Sequence, residues 1–442
     1  MFTNRDLRKI IIPLVIEFTL TRTISIIDSA MVSYAGDAAV SGVSLIDTLN
    51  LLFVYMFTSL SSGGAVIVSQ SLGAEKKDVA REAAKQLFVV AVGVAVLITV
   101  LLLMFREPVL NTIFGGVEPD VMKSASDYLF YTAIGYSFLA AYNACSAIFR
   151  SMGNTRISMF VSVFMNVLNM CGNAILIFGF KLGAAGAAIS TMVSHIIGAG
   201  IMITCVHMRK HPLYIDNILR YKHDFKLIKR ICGIAIPNGL ENGMFQLGKV
   251  ITQSLISGLG TVAIAANAVA NALTSFQYIP GNAINGAMIP VVGRCVGAGD
   301  NEAAVKNSRK LLGIAYGMLF VIVVFMIVFS KQFVGIYGVT SDSAELARYL
   351  LIAHSIFAML IWPVCFILPT TFRAAGDVRY MMVISVAVMW ICRIGFSILF
   401  VKYLDMGAEG VWYAMFCDWI VRMPFILVRY LRGTWLTKYK AI

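Results

Sequence analysis

Two short sets of side chains in this sequence have the types and spacing needed to hold a proton or a small cation. Glu17, Thr21 and Asp28 fall within ~40° of one another around a helix turning ~100° per residue, along about 16 Å of rise. Ser162, Asn166, Asn169 and Asn173 fall within a ~60° arc of a second helix. A carboxylate can bind and release a proton. With amide oxygens beside it, it can also complete the oxygen shell of a cation. Asp47, near the outer start of the next apolar stretch, belongs with these acids. Arg22 lies ~140° from Glu17 and ~240° from Asp28 on the same helix, so the first stripe is expected to carry acids and no base.

The second half of the chain reads differently. Its acids in apolar stretches are Glu241 and Asp418, and its bases are Lys249, Arg393 and Arg422. Asp418 and Arg422 stand four apart with the acid first, the favoured order for an ion pair along one helix, and are expected to be a structural pair. Arg393 is expected to neutralise Glu241 or Asp418. Asn166, Glu241, Gln246 and Arg393 are the expected cavity residues, and a titrating group is expected in the half without the bases. The five histidines show no metal-ligand spacing, and the eight cysteines stand singly without a CxxC. No catalytic dyad or phosphate loop appears. A metal centre and an enzyme are therefore not expected.

The elements that position these groups follow from composition. Of 442 residues, 59% are hydrophobic and 13% charged, with mean hydropathy +0.81. Soluble domains are about half apolar and a quarter charged, so a soluble enzyme, a nucleic-acid binder and a disordered chain are excluded. The apolar runs are solid, without strand-like alternation, and reach the ~20 residues a spanning helix needs. Twelve spans are predicted, near 10–33, 42–70, 86–105, 126–149, 157–179, 185–207, 231–257, 263–293, 310–329, 347–371, 380–401 and 408–430. Prolines at 13, 280, 290, 363, 369 and 424 lie inside them and permit kinks. The 23 Met and 28 Phe offer an adaptable lining for varied apolar cargo.

The net charge of +13 reads first as a topology signal. Twenty-six Lys and Arg fall on one side of the twelve spans and six on the other, with Arg22, Lys249, Arg393 and Arg422 within spans. That asymmetry predicts a multi-pass protein of the cell (inner) membrane with both termini cytoplasmic. Arg5, Arg8 and Lys9 lead into the apolar run from Ile10 to Val32 without a cleavage site, so a removable signal is not expected. The connection 208–230 interleaves Leu213, Ile215, Ile218, Leu219, Phe225, Leu227 and Ile228 with seven basic residues. It is either an amphipathic segment on the anionic leaflet or a plain solvated linker.

The chain also repeats itself. Shifted by 224 residues, IIIPLVIE (10–17) meets IAIPNGLE (234–241), and Gly36, Gly73 and Gly183 meet Gly260, Gly297 and Gly407. Shifted by 223, FRSMGNTR (149–156) meets FRAAGDVR (372–379). Six spans per copy is an even number, so both copies enter the membrane in the same direction. This is the parallel-repeat layout of secondary transporters. The predicted organisation is a first lobe over 1–207, a cytoplasmic linker over 208–230 and a second lobe over 231–442.

These stretches carry a family resemblance. DSAMVSYAGDAAVSGVSL and SSGGAVIVSQSLGA resemble the first two helices of the multidrug and toxic compound extrusion (MATE) family, and LGTVAIAANAVANAL with IPGNAINGAMIPVVGRCVGAGD resembles their second-half counterparts. NVLNMCGNAILIFGFKLGAAGAAIST is similar to the fifth and sixth helices, and FRAAGDVRYMMVISVAVMWICRIGFSILF to the tenth and eleventh. The resemblance covers nearly the whole chain. It implies an all-α, twelve-helix, V-shaped two-lobe antiporter that expels organic, often cationic, compounds against an inward flow of H+ or Na+. It also implies that Asn169 and Asn173 stand near Asp28. Some members carry Asp at the place of Asn173. The second-lobe acids of the NorM-type branch have no counterpart here: Phe245 stands eight residues after Pro237, and no acid lies in the middle of the tenth span.

The expected function is thus export of small amphiphilic compounds, with Asp28 as principal coupling group, H+ or Na+ as the coupling ion and no other cofactor. Desolvation favours the neutral form of a carboxyl group, which proton uptake exploits. The alternative is a flippase for lipid-linked saccharides of the related superfamily, which would favour a strongly cationic cavity. The expected partners are a small-molecule substrate and the bilayer, with no nucleic acid, and the expected state is a monomer.

Overall fold

The computed structural model describes residues 2–215 and 223–438, and all regular structure among them is helical. The first half contains α1 (Asn4–Ser33), α2 (Asp37–Gly73), α3 (Lys77–Met104), the short α4 (Arg106–Phe114), α5 (Pro119–Ser151), α6 (Thr155–Asn173) and α7 (Gly183–His207). A wider π turn, Ala174–Gly179, extends α6. The second half contains α8 (Phe225–Ser257), α9 (Thr261–Gln277), α10 (Ile279–Gly297), α11 (Asn301–Val328) and α12 (Ser330–Gly335). It continues with α13 (Ser341–Trp362), α14 (Leu368–Ala374), α15 (Val378–Val388), α16 (Phe396–Lys402) and α17 (Gly407–Leu431). The π turns Pro363–Ile367 and Met389–Gly395 join α13 to α14 and α15 to α16.

Among the described residues, nine helical stretches are long and apolar enough to cross a membrane. The expected spans 126–149, 231–257 and 263–293 are not among them; they fall in α5, α8 and α9–α10. The span expected at 263–293 is not one helix but breaks at Tyr278. Pro280, at the start of α10, has no N–H to give the preceding turn, which ends α9 there.

The 224-residue register is visible in the elements themselves. Shifted by 224, the bounds of α2 fall on the start of α9 and the end of α10, those of α3 on α11 and those of α7 on α17. The turns match as well. Gly36 and Gly260 precede α2 and α9 with φ of 98° and 92°, a left-handed region that glycine enters without a Cβ clash.

The chain packs as two compact units that divide between Ile236 and Pro237, inside α8. The boundary therefore lies beyond the expected linker 208–230, of which residues 216–222, including Ile218 and Leu219, lie outside the described residues. The reason is local packing. Leu227, Ile231, Ile234 and Ala235 at the start of α8 are buried. A Cβ added at Gly63 of α2 would lie 2.8 Å from the Ile231 carbonyl oxygen, so the two backbones nearly touch. In the first unit, α2, α4, α5 and α7 close a core around Ile46, Leu110, Leu129 and Ala188. In the second, α9, α11, α12 and α13 close one around Val269, Leu273, Met326 and Leu351.

Candidate ion and cargo sites

Helices α1 and α6 meet at three heights along their length. Near the start, Thr155 Oγ1 donates to the Ile10 carbonyl at 3.0 Å. In the middle, Asn166 Nδ2 donates to Thr21 Oγ1 at 3.2 Å. Near the end, Asn173 Nδ2 donates to Asp28 Oδ1 at 3.2 Å. The sequence offset is the same at all three, as two parallel helices in fixed register require. Asn166 is thus a seam residue, and Thr21 is its partner.

Asn169 completes the Asp28 site. With its amide oriented to suit its neighbours, its nitrogen donates to Asp28 Oδ2 at 3.0 Å. Its oxygen then accepts from Thr191 N at 3.1 Å and Thr191 Oγ1 at 3.0 Å. Ser190 Oγ donates to the Asn169 carbonyl at 2.6 Å. This close seam between α6 and α7 depends on Gly172, where a Cβ would lie 2.3 Å from Ser190 Oγ. Both carboxylate oxygens of Asp28 therefore accept amide hydrogens, and among the described residues no basic side chain forms an ion pair with Asp28. Asn173 is 2% exposed, and its Oδ1 is buried without a hydrogen-bond donor among the described residues. The two carboxylate oxygens of Asp28 are acceptors suited to a proton or an oxygen-ligated cation.

Asp47 belongs to a separate cluster between α2 and α5. Its Oδ1 accepts from Tyr128 Oη and Asn50 Nδ2, each at 3.1 Å, and Tyr136 Oη donates to Asn50 Oδ1.

Glu17 is not a free acid on the stripe. Arg150 of α5 brings Nη2 to within 2.7 Å of Glu17 Oε1, and Glu17 is 5% exposed. The expectation of a first half without a base is corrected here. Arg150 lies on another helix, where the angular spacing of α1 cannot reveal it. The second half repeats the pairing: Arg373 Nη2 lies 2.9 Å from Glu241 Oε2.

That pairing narrows the expectation for Arg393 to Asp418, whose charge acts on it although no ion pair joins the two among the described residues. Glu241 is held by Arg373. Asp418 accepts from Arg422 Nη2 with both oxygens, at 2.7 and 3.0 Å. Arg393, on the π turn Met389–Gly395, is buried and has its guanidinium carbon 5.3 Å from the centroid of the Phe245 ring. Gln246, beside Phe245 on α8, is half-buried.

One buried network had no place among the expected residues. His354 on α13 is fully buried. Its Nδ1 lies 2.9 Å from Gln277 Oε1, and Tyr278 Oη lies 2.8 Å from its Nε2. Gln277 Nε2 donates to Ser355 Oγ at 2.6 Å, so the amide oxygen faces the ring and the proton sits on Nδ1. The rings of Trp412 and Trp419 pack edge-on against the imidazole. The only sequence signal was a single histidine inside an apolar run.

Comparison with known proteins extends these observations. The MatE family matches residues 13–175 and again 237–399, two segments offset as the internal repeat is. The chain is 30% identical to an uncharacterized transporter, YisQ, of Bacillus subtilis (strain 168), over 96% of this chain and 94% of that protein. It is 25% identical to a probable multidrug resistance protein NorM of Thermotoga maritima, over 98% of this chain and 93% of that one. Its fold matches the outward-facing conformation of a multidrug resistance MATE family transporter with TM-score 0.91 and 18% identity, over 98% of this chain and 96% of that one. A family that matches both halves in the register of the repeat, and the fold of a solved member reproduced over nearly the whole chain, lead to one conclusion: this protein belongs to the MatE family of multidrug and toxic compound extrusion transporters.

Proposed function

We propose that this protein is a secondary antiporter of the cell membrane that exports small amphiphilic organic compounds against an inward flow of H+ or Na+, with Asp28 as the coupling group. The observation that carries the reading is the Asp28 carboxylate, which accepts amide hydrogens from Asn173 and Asn169 at 3.2 and 3.0 Å and has no basic partner among the described residues. An acid at membrane depth without a counter-charge is costly and is a functional candidate by default. Binding a proton or a sodium ion removes that cost, and release on the other side restores it. Alternation between the two states is what exchange for cargo requires. Both termini are read as cytoplasmic from the distribution of basic residues, the protein as a monomer, and the coupling ion as its only inorganic partner.

The flippase alternative draws its support from the cations around Phe245 alone. The test of the main reading is efflux of a fluorescent amphiphile from proteoliposomes under separately imposed H+ and Na+ gradients. Efflux driven by one gradient and abolished by its collapse supports the antiporter. Gradient-independent movement of lipid-linked saccharide, with no efflux of the amphiphile, supports the flippase.

A further inference from the structure

The second unit concentrates positive charge around one aromatic ring. The ring of Phe245 has Lys249 Nζ at 5.5 Å, the Arg393 guanidinium at 5.3 Å and that of Arg422 at 5.9 Å from its centroid. Arg422 lies also 5.2 Å from the ring of Phe366. Arg393 is 9% exposed and Arg422 2%. The Nε of each is buried with no hydrogen-bond acceptor among the described residues. Asp418 is the carboxylate that serves both, and its two oxygens are taken by Nη2 of Arg422. Glu241, one turn before Phe245 on α8, is held by Arg373.

Two buried guanidinium groups that share one carboxylate leave a positive charge in a poorly solvated place, a costly state unless an anion joins them. A guanidinium offers a planar fork of donors that matches a carboxylate, sulfonate or phosphate. The surroundings supply the rest of a binding site. Phe366 packs edge-on to Phe245 at 6.1 Å and stacks on Trp362 at 5.5 Å, an aromatic wall suited to an apolar body. Along this edge of α8, Phe245 and Gln246 are half-buried and Lys249 is exposed.

The internal repeat sharpens the contrast. Arg393 falls at the repeat position of Asn169, which in the first unit donates to Asp28. The same place in the two halves thus carries an amide facing a carboxylate in one and a cation lacking its own carboxylate in the other.

We propose that Arg393 and Arg422, with the Phe245–Phe366 wall, bind the anionic group of an amphiphilic ligand: a carboxylate, sulfonate or phosphate attached to an apolar body. The inference rests on the exporter reading in naming this ligand as cargo. Its test measures binding without any gradient, so its failure is distinguishable from failure of export.

The test uses the full-length protein in maltoside micelles and two fluorescent probes read by anisotropy: pyrenebutyrate and the uncharged pyrenebutanol. The wild type should bind the anion about tenfold or more tightly than the alcohol. Arg393→Gln should bring the two affinities to within about twofold, chiefly by weakening pyrenebutyrate. Should Arg393→Gln fail to fold, Arg393→Lys, which keeps the charge without the fork, should reduce the preference, and Phe245→Ala should weaken both probes together. Added phosphatidylglycerol that displaces pyrenebutyrate would identify a lipid phosphate as the source of the anion. Binding of pyrenebutyrate indifferent to that lipid would identify free cargo. Equal wild-type affinity for the two probes, or a preference untouched by substitution at Arg393, would overturn the proposal.

Discussion

The guanidinium of Arg150 lies 2.7 Å from the carboxylate of Glu17 and ties α5 to α1 in the first half, as Arg373 ties to Glu241 at 2.9 Å in the second. The partners occupy equivalent places in the repeat, so the pairing is a property of the fold, present once in each half. It removes Glu17 from the acids free to exchange an ion, while Asp28 on the same helix forms no ion pair among the described residues.

Glu17→Gln should therefore behave as a stability change. Arg150 would lose its partner, and breaking a buried pair costs ~3–5 kcal/mol; because the Arg150 side chain keeps 26% of its surface in contact with solvent, a loss of about 2 kcal/mol is expected. The thermal midpoint in detergent should fall, with efflux per folded molecule largely retained. A mutant of wild-type stability that cannot transport would instead put Glu17 back among the coupling groups.

The Asp418–Arg422 pair is more deeply placed, with side-chain exposures of 0% and 2%. Asp418→Asn leaves the guanidinium without its carboxylate, and a loss on the order of 3–5 kcal/mol is expected. Fluorescence-detected size-exclusion chromatography should show a reduced monodisperse peak. An undiminished peak would mean that the pair contributes little to folding.

Much of the architecture was legible because it depends on periodicity along the chain. Solid apolar runs and a 224-residue offset are sequence properties, and the helices follow them closely from α2 to α17. The faces that carry Asp28 on α1 and Asn169 and Asn173 on α6 can each be read by angle along one helix, whereas that the two faces meet was implied by the family resemblance. Other contacts between helices distant in sequence were not legible. Arg150 and Arg373 looked like loop charges at the ends of α5 and α14, and nothing on α1 or α8 points to them. Of the two acids matched with Arg393, Glu241 turned out to have its partner on another helix, Arg373, which its own helix could not reveal. The network around His354 depends on the break at Tyr278, which turns Gln277 and Tyr278 towards α13. The unit boundary moved into α8 because Gly63 admits the Ile231 backbone, a fit that composition does not encode.

The orientation makes a separate prediction. In a background lacking the native cysteines, single cysteines at 37, 118 and 342 should react with a membrane-impermeant maleimide in intact cells. Those at 76 and 300 should react only after permeabilisation. These positions lie at or just before the first turn of a helix and are exposed. Labelling of 76 or 300 in intact cells would reverse the assignment of sides.

The central claim is that Asp28 couples ion flow to export, and one substitution tests it most directly. Asp28→Asn keeps the size of the side chain and one oxygen to accept from Asn173 or Asn169, but removes the charge that a proton or sodium ion neutralises. The measurement is gradient-driven efflux from proteoliposomes containing equal amounts of folded wild type and mutant. The account predicts normal insertion, retained binding of the fluorescent amphiphile and efflux reduced to the rate of protein-free vesicles. Gradient-driven efflux at the wild-type rate by well-folded Asp28→Asn would contradict it.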